Sequence, residues 1–227
     1  MARSRLYLIR VDRHIAAMAI LKIARMGNPI LRERAQEVED PKAPAVHALV
    51  RDMAETLVDA RGAGLAAPQV YVPYRVVIFY IPQSDEEEYS PPTEEYTEEP
   101  VRNLEVLINP VIEPIGDEKA FGWEGCLSVP DMQGIVPRFT HIRYSGVGLD
   151  GNPIKREAKG FHARVLQHEC DHLDGVLYPM RMTDLAKLEF NAEPGHLAQD
   201  IVDGQKVWPV LQGLVDAWPG RGQYFDD

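Results

Sequence analysis

Apolar and polar positions change period several times along the chain, and each period predicts an element. Between Pro44 and Asp59, the residues Val46, Leu49, Val50, Met53 and Leu57 recur at helical spacing, with Arg51, Asp52, Glu55 and Asp59 on the other side. That pattern predicts an amphipathic helix, ended by Gly62-Ala63-Gly64 just beyond the last periodic residue. The runs 75–81 (RVVIFYI) and 105–112 (EVLINPVI) are short, rich in β-branched residues and bounded by Pro, so they read as buried strands. The segment 138–149 alternates in part and precedes Asp150-Gly151, a turn signal, so a hairpin is expected after 126–135. A second helix is expected from about Phe161 to Leu173, stopping at Asp174-Gly175. With no internal repeat, this is an α+β chain: short antiparallel strands around a central helix.

Composition adds boundaries. The 227 residues are 45 % hydrophobic and 26 % charged, the balance of a globular chain with ample core. No run of about 18 apolar residues occurs, so no membrane-spanning helix and no membrane partner is expected. The net charge of −11 argues against a general affinity for phosphate backbones, and no nucleic-acid binding is expected. That charge is concentrated. Residues 84–99 (SDEEEYSPPTEEYTEE) hold eight acids and no base, leaving 24 basic against 27 acidic residues elsewhere. Such a stretch cannot bury a core and reads as a solvated loop inserted between two strands. Residues 1–17 carry four Arg and one acid and read as a leader or disordered extension. Residues 18–182 read as the folded domain, and 183–227 as a tail of short helical segments broken by Pro194, Pro209 and Pro219. Two cysteines, Cys126 and Cys170, make no disulfide framework and suit a reducing compartment.

The strongest chemical pattern is His168-Glu169-Cys170-Asp171-His172 inside the second predicted helix. Positions i and i+4 share a helix face, so the two imidazoles converge on one point, with the intervening Glu beside it. A catalytic metal needs a third protein ligand. Downstream donors fit poorly: the final position of a long HExxHxxGxxH motif is Tyr178, and Asp184, Glu189 and Glu193 are ill placed for a returning helix. Upstream, Glu124-Gly125-Cys126-Leu127-Ser128 offers a thiol that a metal would bind deprotonated. Cys170 stands about 200° round the helix from His168 and faces away. In Gly62-Ala63-Gly64-Leu65-Ala66-Ala67-Pro68-Gln69, small residues allow close main-chain approach and Gln69 adds a neutral donor. These residues alone reach a metal hydrolase with a Cys/His/His site and a Glu base. An endopeptidase with a downstream ligand and a catalytically silent metal-stabilised binding module are the competing readings.

Together, GAGLAAPQ, EGCLS and QHECDH stand in the order of the three motifs of the peptide deformylases, and residues 18–182 resemble that family. KIARMGNPILRERAQEV, LINPVI and VPRF fit it as well. The resemblance implies hydrolytic removal of the N-formyl group from the initiator methionine of new polypeptides. It implies Cys126, His168 and His172 as ligands of one divalent metal, Fe(II) by family or alternatively Zn(II), and Glu169 as general base and acid. It implies Gln69 and the Leu127 N–H as oxyanion donors, and Gly64 main chain as a substrate-strand partner. Phe161 and Val165 are expected at a pocket for the methionine side chain. N-formylmethionyl nascent peptides are the implied partners, with ribosome proximity. The implied location is bacterial cytoplasm, with mitochondrion or plastid as the alternative raised by the Arg-rich leader.

Overall fold

Helix α1, Pro44–Asp59, forms as its periodicity predicts, with Pro at its start, where the ring costs no hydrogen bond. Its end differs from expectation. Arg61, not a glycine, takes the left-handed conformation (φ 54°), and the N–H groups of Arg61 and Gly62 donate to the carbonyls of Val58 and Leu57. That is a Schellman cap with a non-glycine residue at its turning point. The glycines are thereby released for another use, since Gly64 opens strand β1, Gly64–Ala66.

This computed structural model describes residues 19–81 and 104–192. The expected leader 1–17, the acidic insert 84–99 and residues 193–227 of the expected tail lie outside the described residues. Within them the chain is α+β, with two antiparallel sheets and two α-helices. Strands β2 (Val76–Tyr80), β3 (Leu104–Pro114), β6 (His141–Val147) and β7 (Pro153–Lys159) join β1 in a five-stranded sheet, ordered β1-β2-β3-β6-β7. Strands β4 (Lys119–Cys126), β5 (Val129–Phe139) and β8 (Leu188–Phe190) form the second sheet.

Strand β2 is apolar throughout because both faces are covered. Val76 and Ile78 pack with Val50, Met53 and Leu57 of α1, whereas Val77 and Phe79 pack against helix α2, Gly160–Leu173. Strand β3 continues past its predicted end to Pro114, with a register shift between Ile108 and Val111. At that shift Asn109 adopts φ 51° and clips an outside segment: its side chain accepts from Val38 N–H at 2.9 Å and donates to Val38 O at 3.0 Å. Asn tolerates this conformation better than most side chains.

The expected strand at 138–149 is two strands. Arg138 and Phe139 end β5 in one sheet, Thr140 turns, and His141 opens β6 in the other. The hairpin expected at Asp150-Gly151 forms between β6 and β7, with Gly151 at φ 75°. Beyond Met182, the described part of the expected tail holds one 3-10 turn, Leu185–Lys187, followed by strand β8, Leu188–Phe190, which pairs with Met132–Gly134 on the open side of β5. No helix among the described residues is long and apolar enough to cross a membrane.

Candidate metal centre

Helix α2 carries His168 and His172 on one face, both buried, with ring centroids 5.0 Å apart. Cys126 ends β4, where the ladder shifts register after Gly125, and a turn at Leu127-Ser128 leads into β5. The shift brings the thiol to the helix: Sγ lies 3.4 Å from Nε2 of His172. Ligand atoms of Cys126, His168 and His172 lie within 4.8 Å of one another, the one such group of His, Cys and acidic residues among the described residues. Burial opposes ionisation of the Cys126 thiol, but the charges and hydrogen bonds of His172 and His168 outweigh it and hold its pKa well below the usual value. A thiolate and two imidazoles are the donors a divalent transition metal takes. Between the histidines, buried Glu169 keeps Oε2 without a protein partner. Burial pushes its pKa up to about 7.

The outer nitrogen of His168 is held by a charged lattice. Nδ1 lies 2.8 Å from Oε2 of Glu124, so the Nδ1–H donates to the carboxylate and Nε2 is left as the donor atom. Glu124 also accepts from Arg138 Nε at 2.8 Å, Arg138 Nη2 at 2.9 Å and Arg164 Nη1 at 2.9 Å. Arg138 donates in turn to Asp171, which accepts from Arg181 at 2.7 Å. Burial would raise the Glu124 pKa, but the hydrogen bonds of Arg138 and His168 prevail and hold it below the ordinary carboxylate range. None of these partners is evident from spacing. The available signal is that EGCLS and VPRF place Glu124 and Arg138 among apolar strand residues, where a buried charge needs a partner.

Gln69 sits in the 3-10 turn Ala67–Val70 after β1. Its Oε1 accepts from Ala66 N–H at 2.8 Å, while Nε2 faces Ser128 Oγ at 3.2 Å and Cys126 Sγ at 3.6 Å. Gly64 lies flat against Glu169: a Cβ there would stand 2.5 Å from Oε1. Leu127 follows Cys126 in the turn, its side chain packed into the core shared with α1. Gly64 thus lies against Glu169 and Gln69 against Cys126, whose sulfur in turn meets His172. Phe161 and Val165 belong to the core between α2 and the five-stranded sheet, with Val165 buried and Phe161 partly so. Cys170 is no member of the donor group, and burial raises its thiol pKa.

An i/i+4 histidine pair on a helix, a thiolate from a separate strand and a buried carboxylate between the histidines define a hydrolase centred on one metal ion. Known proteins narrow that class. A model of the polypeptide deformylase family matches residues 20–188. Peptide deformylase 1 of Bordetella pertussis is 50 % identical over 168 residues, covering 74 % of this chain and 90 % of the relative. Peptide deformylase 2 of Ralstonia nicotianae is 48 % identical over 171 residues, covering 75 % and 92 %. The crystal structure of a class I type b peptide deformylase from Acinetobacter baumannii bound to Met-Ala-Ser superposes with TM-score 0.63 at 35 % identity, covering 73 % of this chain and 99 % of that one. The Ehrlichia chaffeensis peptide deformylase in complex with actinonin gives TM-score 0.63 at 34 % identity, covering 75 % and 92 %. The chain belongs to the peptide deformylase family.

Proposed function

We propose that this protein hydrolyses the N-formyl group from the initiator methionine of newly made polypeptides, at one divalent ion held by Cys126, His168 and His172. The observation that carries this reading is the convergence of those three donors, from two separate elements, beside the buried carboxylate of Glu169, whose Oε2 has no protein partner. The donor set fits such an ion: the thiol is biased toward its ionised form, and the His168 tautomer is set by Glu124. Helix α2 is then the central metal-binding element of the domain that spans 18–182. When bound, the ion supplies Lewis acidity, activating water near neutral pH and polarising a carbonyl oxygen. Fe(II) is the expected native metal and Zn(II) the alternative, since these donors accept both.

The chain's own residues perform the remaining steps. Glu169 takes the proton of the attacking water and later gives it to the leaving amine, a role that suits a carboxylate with pKa pushed up to about 7. The Gln69 amide and the Leu127 N–H donate to the oxyanion that grows on the formyl carbon. Strand β1 is an edge of its sheet, so main chain at Gly64 is available to a peptide added as a further strand. Backbone pairing of this kind ignores side chains, which suits an enzyme meeting every nascent chain. Phe161 and Val165 border the methionine side chain on the α2 side. Action on nascent chains suits an enzyme working near ribosomes in bacterial cytoplasm, a reading that its bacterial relatives support, with a mitochondrion or plastid as the alternative.

Deformylation of formyl-Met-Ala-Ser by anaerobically prepared, metal-loaded protein tests the reading. Turnover is expected, and Glu169→Ala should lower it by about 10²–10⁴ while metal content stays the same. No turnover with metal bound would overturn it.

A further inference from the structure

The oxyanion role proposed for Gln69 requires one amide N–H to point at a defined place, and a Gln side chain has rotatable bonds enough to point elsewhere. Two contacts remove that freedom. Oε1 accepts from Ala66 N–H at 2.8 Å, which settles which end of the amide is oxygen. One N–H of Nε2 then donates to Ser128 Oγ at 3.2 Å. With the plane of the amide pinned at both corners, the second N–H is directed toward Cys126 Sγ, 3.6 Å away, and so toward the cluster of three donor atoms. An N–H···S contact of that length is weak, so this hydrogen is easily drawn to an oxyanion.

We infer that Ser128 is a positioning residue for this reaction: its fully buried hydroxyl aims the Gln69 amide. The inference rests on the oxyanion role assigned to Gln69 above. Main chain supports it. Gln69 and Ser128 are 59 residues apart, yet one short segment ties both backbones: Ala24 N–H donates to Gln69 O and Met26 N–H to Ser128 O, each at 2.7 Å. The segment 24–26 therefore fixes the separation across which the two side chains meet. Ser128 N–H also lies 3.4 Å from Cys126 Sγ, a contact that belongs to the backbone and survives loss of the hydroxyl. The side chain of Ser128 thus acts on the amide, and its main chain on the sulfur.

A double-mutant cycle on the metal-loaded enzyme separates these roles, with formyl-Met-Ala-Ser as substrate. Ser128→Ala should lower kcat by roughly tenfold to a hundredfold, the scale of a misplaced catalytic group, with KM within about twofold and metal content unchanged. Ser128→Gly, a second way to delete the hydroxyl, should match it. Gln69→Ala should lower kcat by about 10²–10³, and Ser128→Ala should add nothing on top of it. In the Co(II)-loaded protein, the thiolate-to-metal charge-transfer band should not move in Ser128→Ala. Multiplicative losses in the double variant, a change confined to KM, a displaced band, or an unchanged kcat in Ser128→Ala would each overturn the inference. Wild-type kcat in Gln69→Ala would instead remove the oxyanion role, and this inference with it.

Discussion

Helix α2 meets its two sheets in different ways. Toward the five-stranded sheet the contact is mainly apolar: Ala163, Leu166 and Leu173 pack with Val77, Phe79, Leu107 and Ile142, all buried, and the ring of His162 lies against Phe79 and Tyr144. Toward the three-stranded sheet it is charged: Arg164, His168 and Asp171 engage Glu124 and Arg138 through hydrogen bonds of 2.8–2.9 Å and the Arg138–Asp171 ion pair. Hydrophobic burial is non-directional and scales with area, so the first seam supplies adhesion and accepts many shapes of similar volume. The second seam is directional. It adds little net stability relative to an apolar packing, because desolvation of four charged groups, Glu124, Arg138, Arg164 and Asp171, offsets their attraction. Its product is orientation, since it fixes the ring plane and tautomer of one candidate ligand. Adhesion and aim are therefore divided between opposite sides of a single helix.

The largest effect that tests this division is expected from Glu124→Ala, which strands Arg138 and Arg164 without their carboxylate. Removing one partner of such a buried pair costs about 3–5 kcal/mol. Urea unfolding of the metal-free protein should show it, and metal affinity should fall about 10–100-fold. A loss below about 1 kcal/mol with affinity intact would mean that the charged seam does not aim the ligand. Leu166→Ala comes next, at about 2–5 kcal/mol. Because it belongs to the adhesive seam, the folded fraction should keep its metal affinity within about twofold, and Leu166→Met should recover most of the stability. Weakened metal binding in folded Leu166→Ala would blur the comparison. The smallest effect is expected at the solvent-facing Arg143–Glu157 contact on β6 and β7 (2.9 Å). Glu157→Ala should leave the urea midpoint within error, as exposed pairs usually do; a clear shift would show that surface charge matters here as buried charge does.

The same division explains what the sequence revealed. Helix α1 and strand β2 were readable because burial leaves a local trace, a helical period in one and an unbroken apolar run in the other. The donors were readable for a related reason: His168 and His172 are brought together by helix geometry alone, and with Cys170 facing away EGCLS offers the remaining thiol. The lattice behind them was not. Arg138 meets Glu124 across 14 residues and Asp171 across 33, and a charged residue carries no mark of its partner. Strand boundaries failed where period could not discriminate. The alternation slips at Thr140-His141, from Phe139 to Ile142, but a slip of phase does not say that the chain changes sheets there. The cap at Arg61 was hidden because glycines next to it looked sufficient for the turn. Strand β8 was hidden because three residues are too short a run to show alternation.

The path of the chain between the sheets has one more implication. It leaves the large sheet at the end of β3, builds β4 and β5, and returns at the start of β6, yet β3 and β6 are direct neighbours, with Pro114 opposite Ile142 and Ile115 N–H donating to His141 O at 2.9 Å. The hairpin that delivers Glu124, Cys126, Ser128 and Arg138 is thus a detour whose two ends meet. Closing a detour of this kind costs entropy that rises only with the logarithm of its length. Residues can be added or removed near Gly116 at its base without reopening the sheet that carries it. The hairpin is a graft site, and the large sheet is the stock that holds it.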